Sequence, residues 1–345
     1  MRAPIIETSP VGNLGRAAWR LLQAAALLYG LGTIVYLIAR LAVGERWGAV
    51  AWANNFVPWW ALGALIAALV AGIGRRWPLA ALEAPILLAF ALLYGDLLLP
   101  SGDVAQAGDG ITLKAATYNI LSHFSDPDQV IDVIRDLDAD IVGFEEVGPE
   151  HAARIQAELG EDYPYQVWYP QMPVHGVGLI SRYPILEETP YAALPDSMRH
   201  LRAVIDTPGG PVTVFVAHPR PPHGLLPLGY DDASRDMELA DLRARVRAES
   251  GPVIVLCDCN MSDQSDAYRA TARLLHDSFR EAGWGLDFSY PNRLRDLAPG
   301  LRVVRIDYVW HSDHFTALDA RTWSSSGTSD HRPVVARLAL KAEDS

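Results

Sequence analysis

"DIVGFEEV" (140–147) carries an apolar run, Ile141 to Phe144, that closes on two acids, Glu145 and Glu146. A short apolar run of this kind is the pattern of a strand covered on both faces. A carboxylate at the end of such a strand is costly unless it is paired or holds an ion. The same arrangement recurs along the chain. "ITLKAATYNI" (111–120) ends at Asn119, "PVTVFVAHP" (211–219) at His218, and "GPVIVLCDCN" (251–260) at Asp258 and Asn260. Asp307 lies in "RVVRIDYVWH" (302–311), and Asp330 and His331 stand before the apolar end of "GTSDHRPV" (327–334). One such ending is noise; six segments ending alike predict one shared site.

Between these strands lie helical patterns over 126–139, 149–160 and 231–248 and a short one near 266–276. Further strand-like runs cover 163–170, 176–182, 199–206, 315–323 and 332–340. Several neighbouring strands lack a crossover helix, so the sheets must be mixed. The pattern predicts an α/β (α+β) four-layer sandwich, two packed mixed β-sheets flanked by helices.

The first hundred residues read differently. They hold four acids (Glu7, Glu45, Glu83, Asp96) and seven arginines. Removing these from the totals of 41 acids and 29 bases leaves 37 and 22 over residues 101–345, a net charge of −15. Apolar segments at 21–39, 56–74 and 78–99 approach the roughly 20 residues that cross a hydrocarbon core, which predicts an N-terminal three-helix transmembrane region. A cleaved signal peptide would account for one of them only. Arg2, Arg16, Arg20, Arg75 and Arg76 fall on one side, and Arg40, Arg46 and Lys114 on the other. That balance predicts a multi-pass protein of the cytoplasmic (inner) membrane with a cytoplasmic N-terminus and an extracytoplasmic C-terminal domain. Trp47, Trp52, Trp59, Trp60 and Trp77 cluster near the span ends, as interfacial aromatics do. Glu83 and Asp96 interrupt the third segment and mark either a polar path within the helices or, for Asp96, the interface. The division expected is a membrane region over 1–100, a linker over 101–110 and a catalytic domain over 111–345.

Cys257 and Cys259 are the two cysteines. At alternate positions of a strand they point the same way but stand too far apart for an easy disulfide, so they read as two buried free thiols. Two Cys without further ligands are too few for a thiolate metal site.

In "TYNI", "DIVGFEEV", "GVGLISRYPI", "VFVAHP", "VLCDCN", "RIDYVW" and "SDHRPV", in that order, residues 111–340 resemble the endonuclease/exonuclease/phosphatase superfamily. With its apolar front and "AHPRPP", the chain looks most like the membrane-tethered subset that includes the VanJ-type teicoplanin-resistance proteins, which are associated with glycopeptide resistance. The resemblance implies a metal-dependent phosphohydrolase. Glu146, with Asn119 beside it, is then the expected ligand of Mg²⁺ (or Mn²⁺), a hard cation that keeps waters for the substrate phosphate. Asp330 is expected to complete the metal or phosphate environment. His331 is the expected general base, held in its tautomer by Asp307. Asp258 orients the attacking water or holds a second ion, Asn260 donates to a phosphoryl oxygen, and His218 stabilises charge in the transition state. Arg220 and His223 are candidate phosphate contacts. Glu145 is expected on the opposite face from Glu146, paired structurally, and Arg182, Arg305 and Arg332 as braces between strands. The superfamily usually carries Gly before the aspartate and an aromatic after it. Here both places are Cys, which puts the local packing in doubt.

The substrate class is narrowed by charge and architecture. A net charge of −15 opposes a general nucleic-acid binder. A membrane tether favours a lipid-linked phosphate or pyrophosphate such as undecaprenyl pyrophosphate, with a membrane-anchored nuclease as the alternative and a catalytically silent binding module as the third reading. No protein partner is implied.

Overall fold

A computed structural model describes residues 10–99, 110–194, 198–224, 226–291 and 302–341. The chain divides into two compact units, residues 1–95 and 96–345. Apart from Gly110, the expected linker lies outside the described residues.

The first unit is helical: α1 (Pro10–Ala42), α2 (Gly48–Asn54), α3 (Val57–Ile73), α4 (Trp77–Ala81) and α5 (Ala84–Leu98). Two stretches, Leu14–Ala42 and Trp77–Leu98, are long and apolar enough to cross a membrane. α2 and α3 meet at a 75° bend and make a third span only if the bent pair is counted as one. The expected segment at 56–74 therefore corresponds to α3, with α2 as its bent extension. α1 and α3 run antiparallel: Tyr29 Oη donates to the Trp60 carbonyl at 2.8 Å, and Gln23 lies against Gly74. The third segment is broken at Leu82 and Glu83, just before Pro85, whose ring cannot supply the N–H that would bond back to Ala81.

The second unit contains β1 (Thr112–Asn119), α6 (Pro127–Leu137), β2 (Ile141–Glu145), α7 (Pro149–Leu159), β3 (Tyr165–Tyr169), β4 (Val177–Ser181), β5 (Ile185–Tyr191), β6 (His200–Thr207), β7 (Gly210–Ala217) and α8 (Ala233–Ala248). It continues with β8 (Val253–Asp258), α9 (Asp266–Thr271), β9 (His276–Asp277), α10 (Ser278–Ala282), β10 (Asp307–His311), β11 (Phe315–Thr322) and β12 (Val334–Leu340). One sheet has the order β11-β12-β1-β2-β4-β3, the other β5-β6-β7-β8-β10-β9. Each contains one parallel pair, β1 with β2 and β7 with β8, so both are mixed as expected.

Local signals explain the helices. Asp126 caps α6 by accepting from the Asp128 N–H, Pro127 fills the first turn, and Asp138 ends the helix in the left-handed region. The apolar face of α6, Val130, Val133, Ile134 and Leu137, packs with α7 on Tyr118, Val142 and Phe144 of the first sheet. Leu239, Leu242 and Val246 of α8 cover Phe215, Val255 and Cys257 of the second. The inner faces meet closely at Gly143: a Cβ there would stand 2.9 Å from Leu256 Cδ1 and Val216 Cγ2.

Two expectations need correction. Strand β5 was not foreseen, because "ILEETPY" is polar, contains Pro190 and is mostly exposed, as suits an edge strand. Cys257 and Cys259 are joined by a disulfide, with Cα atoms 5.1 Å apart. β8 stops at Asp258, so Cys259 has left the extended conformation that would hold alternate Cα atoms near 6.7 Å apart. That brings the pair into disulfide range.

Candidate functional site

The topology brings the strand-end polar groups to one edge of the sandwich. β1 and β2 run parallel, as do β7 and β8, so Asn119, Glu145, Ala217 and Asp258 lie at the same end of their sheets. β10 is antiparallel to β8 and pairs Asp307 directly with Asp258. β12 is antiparallel to β1, with Val334 opposite Thr117, so His331 just before it reaches the same place.

His331 presents Nδ1 to both oxygens of Asp307, each at 3.0 Å, which requires the hydrogen on Nδ1 and leaves Nε2 facing Asp258 Oδ2 at 3.8 Å. The Tyr290 ring lies 4.6 Å from the imidazole, and the backbone N–H of His331 donates to Ser329 Oγ, which in turn donates to the Asn119 carbonyl. Asn119 Nδ2 donates to Asp258 Oδ2 at 2.8 Å. His218 Nε2 stands 3.5 Å from that oxygen and 3.9 Å from Glu146 Oε1. The amide of Asn260 gives one N–H to the Pro219 carbonyl, and its backbone N–H donates to Asp258 Oδ1. Asp330 is buried next to His331.

Glu146 and Asn260 both adopt left-handed backbone, φ +57° and +49°. Non-glycine residues there are uncommon and carry strain, which is tolerated where structure is spent on a site. At Glu146 the consequence is specific. Leaving the strand with positive φ breaks side-chain alternation, so Glu145 and Glu146 are not sent to opposite faces as expected. Glu145 shares the inter-sheet face of Gly143, accepts from Thr117 Oγ1 at 2.7 Å, and lies in the field of Asp258, Asp307 and His331. It does pair structurally, but beneath the site. Glu145 is the residue whose position the sequence reading missed; the signal was its place two residues after a glycine that faces the other sheet.

The electrostatics follow from burial and crowded charge. Burial pushes Asp258 up to about 7, reinforced by Asp307 and opposed by His331 and Asn119. Burial also raises Glu146, against the pull of His218 and His331. Burial lowers His218 to about 4. Burial disfavours a charged His331, yet Asp307 and Asp258 outweigh it and hold the ring up to about 10. The acid cluster thus favours an imidazolium; the expected neutral base requires a cation to meet the same carboxylates.

Asp258, Asp307 and His331 offer ligand atoms within 4.8 Å of one another and could hold a metal ion. Glu146 Oε2 is buried with no hydrogen-bond partner among the described residues. A set of carboxylates and one imidazole fits a hard divalent ion. The two candidate phosphate contacts are arranged differently. Arg220 lies against Glu238, to which its backbone N–H donates, while His223 is exposed in a bridge with Asp231. Of the braces, Arg182 reaches Asp138 and Asp140, and buried Arg305 grips Asp277 with two bonds.

Two packed mixed sheets thus gather acids, amides and imidazoles at one edge. The pattern of the Endonuclease/Exonuclease/phosphatase family matches residues 116–331, more than half of the chain, and the protein belongs to that family. Solved structures share the fold. The endonuclease/exonuclease/phosphatase from Bacteroides vulgatus has 20% identity and a TM-score of 0.56, covering 67% of this chain and all of its own. The counterpart from Beutenbergia cavernae has 18% identity and a TM-score of 0.54, with 67% and 72% covered. The human Nocturnin catalytic domain with bound sulfate has 15% identity and a TM-score of 0.51, with 67% and 96% covered. No protein of curated function matches the sequence.

Proposed function

We propose that the chain is a membrane-anchored, metal-dependent phosphohydrolase acting on a lipid-linked phosphate or pyrophosphate, such as undecaprenyl pyrophosphate, outside the cytoplasm. The observation that carries the hydrolytic reading is the Asp307–His331 pair, whose free Nε2 faces Asp258 across 3.8 Å. A water in that position can give its proton to Nε2 while Asp307 holds the imidazole tautomer and stabilises the charge that develops. Glu146, Asn119 and Asp330, with Asp258 beside them, would hold Mg²⁺ or Mn²⁺, which supplies Lewis-acid polarisation of the phosphoryl group. His218 Nε2 and the second N–H of the Asn260 amide would donate to phosphoryl oxygens. The sulfate bound by Nocturnin supports an oxyanion at a fold of this kind.

Membrane anchoring by the helices of residues 10–98, and the division into membrane region, linker 101–110 and catalytic domain 111–345, belong to the same proposal. So does the extracytoplasmic placement, which the disulfide favours because such bonds persist in oxidising compartments. The acidic domain opposes a general nucleic-acid binder, and the membrane tether is what favours a lipid-linked phosphate. The test is phosphate release by the full chain in detergent, with Mg²⁺ or chelator, on undecaprenyl pyrophosphate and on single- and double-stranded DNA. Mg²⁺-dependent release from the lipid supports the proposal; cleavage of DNA with the lipid intact replaces it with a nuclease.

A further inference from the structure

His218 enters the site from the end of β7, yet its ring is not held as that of His331 is. Its Nδ1 is buried with no hydrogen-bond partner among the described residues, whereas Asp307 engages the same nitrogen of His331. The place of the His218 side chain is therefore set through its backbone. That backbone has left the sheet: Val216 is the last residue of β7 paired with β6, and Ala217 the last paired with β8. The His218 N–H goes instead to a side chain, Nδ1 of His200 at the start of β6, at 3.0 Å.

An imidazole nitrogen that accepts carries no hydrogen, so the hydrogen of His200 is on Nε2. Nε2 faces Glu238 Oε2 of α8 across 3.5 Å, with His200 2% and Glu238 1% exposed. The same Oε2 accepts the Arg220 N–H at 3.1 Å, and Pro219 gives its carbonyl to the Asn260 amide at 3.0 Å. His218, Pro219 and Arg220 are thus tied in succession to β6, to Asn260 and to α8. Burying an imidazole and a carboxyl is costly. An apolar pair would fill the same space but leave the N–H groups of His218 and Arg220 without these acceptors.

We propose that His200 is a positioning residue for the reaction at Asp258, Asp307 and His331. Its Nδ1 fixes the backbone of His218, and so the approach of His218 Nε2 to the substrate, while Glu238 selects the tautomer that leaves Nδ1 able to accept. This rests on the hydrolytic reading, in which His218 donates to a phosphoryl oxygen.

The test compares H200F, which keeps a ring and loses the acceptor, with H200N, whose Oδ1 restores an acceptor near the place of Nδ1 on a smaller side chain. The full chain in detergent is assayed for Mg²⁺-dependent phosphate release from undecaprenyl pyrophosphate. Exchange of the His218 amide hydrogen is followed in parallel by mass spectrometry with electron-transfer fragmentation. H200F is expected to lower kcat by about 10- to 100-fold with KM nearly unchanged, the mark of an interaction made in the transition state, and to speed exchange at His218. H200N should recover most of kcat and slow the exchange again. Packing alone predicts the reverse order, since Asn leaves more space unfilled than Phe. H200Q, which can reach Glu238 but has no acceptor at the Nδ1 position, should behave as H200F does and takes its place if thermal unfolding shows H200F to be unfolded. Wild-type exchange at His218 in H200F overturns the proposal whatever the activity, and so does a kcat in H200F equal to wild type or above that of H200N. No phosphate release from the wild type, with exchange at His218 responding as expected, would instead remove the hydrolytic reading and leave His200 as an anchor of the backbone only.

Discussion

His331 has one ring nitrogen committed to Asp307 and the other turned toward Asp258, so removing either partner should separate chemistry from folding. Asp307→Asn keeps the shape but loses the carboxylate that selects the Nδ1–H tautomer, and His331→Ala removes the base itself. Each is expected to cost about 10²–10⁴ in turnover, measured as phosphate release, with far-UV circular dichroism unchanged. Glu146→Gln tests a different role. It keeps the volume and removes the charge of a carboxylate that has an unsatisfied buried oxygen, so the Mg²⁺ concentration for half-maximal activity should rise several-fold before the maximal rate falls. A rate loss without any shift in metal dependence would take Glu146 out of the metal site. Asn119, Asp258, Asp307, Asp330 and His331 were legible as a set because each terminates or adjoins an apolar run. The face taken by Glu145 was not, since it depends on one positive φ at its neighbour.

Packing between elements gives two further expectations. Gly143 of β2 sits where the sheets approach, and Gly143→Ala places a methyl within 2.9 Å of Leu256 and Val216 side chains. Overpacking of this kind costs about 1–3 kcal/mol, measured by urea denaturation. The second concerns the tie between the second sheet and the end of α8. Arg202 of β6 donates to both oxygens of Glu249, at 2.7 and 2.9 Å, and Thr213 of β7 adds a third bond. The Arg202 hydrogen bonds hold the Glu249 carboxyl below its ordinary value. A carboxyl depressed on folding stabilises the fold above its unfolded pKa of about 4.3, and that contribution is lost as pH falls through the folded value. Glu249→Gln should therefore cost about 1 kcal/mol at pH 7, with the two proteins converging in acid. A difference that persists at pH 2 would assign the effect to packing. Helices α6 and α8 were readable from their periodicity and turns, whereas edge strand β5 carried no apolar alternation to read.

At the scale of the whole molecule, an apolar helical unit and an acidic sandwich share one chain. If the helices are embedded in a bilayer, the protein should stay with membranes through alkaline carbonate and high salt and leave them only in detergent; release by carbonate would make the association peripheral. Composition, charge asymmetry and local periodicity are properties of contiguous residues, so the sequence by itself determined the apolar front, the strand and helix pattern and the family. It also determined which residues were available to a site. Tertiary structure alone decided how they meet. The parallel pairs β1–β2 and β7–β8 put strand ends on one edge, and the antiparallel partners β12 and β10 return His331 and Asp307 to it. Such distances are set by sheet register and helix approach across tens to hundreds of residues, and no local pattern encodes them.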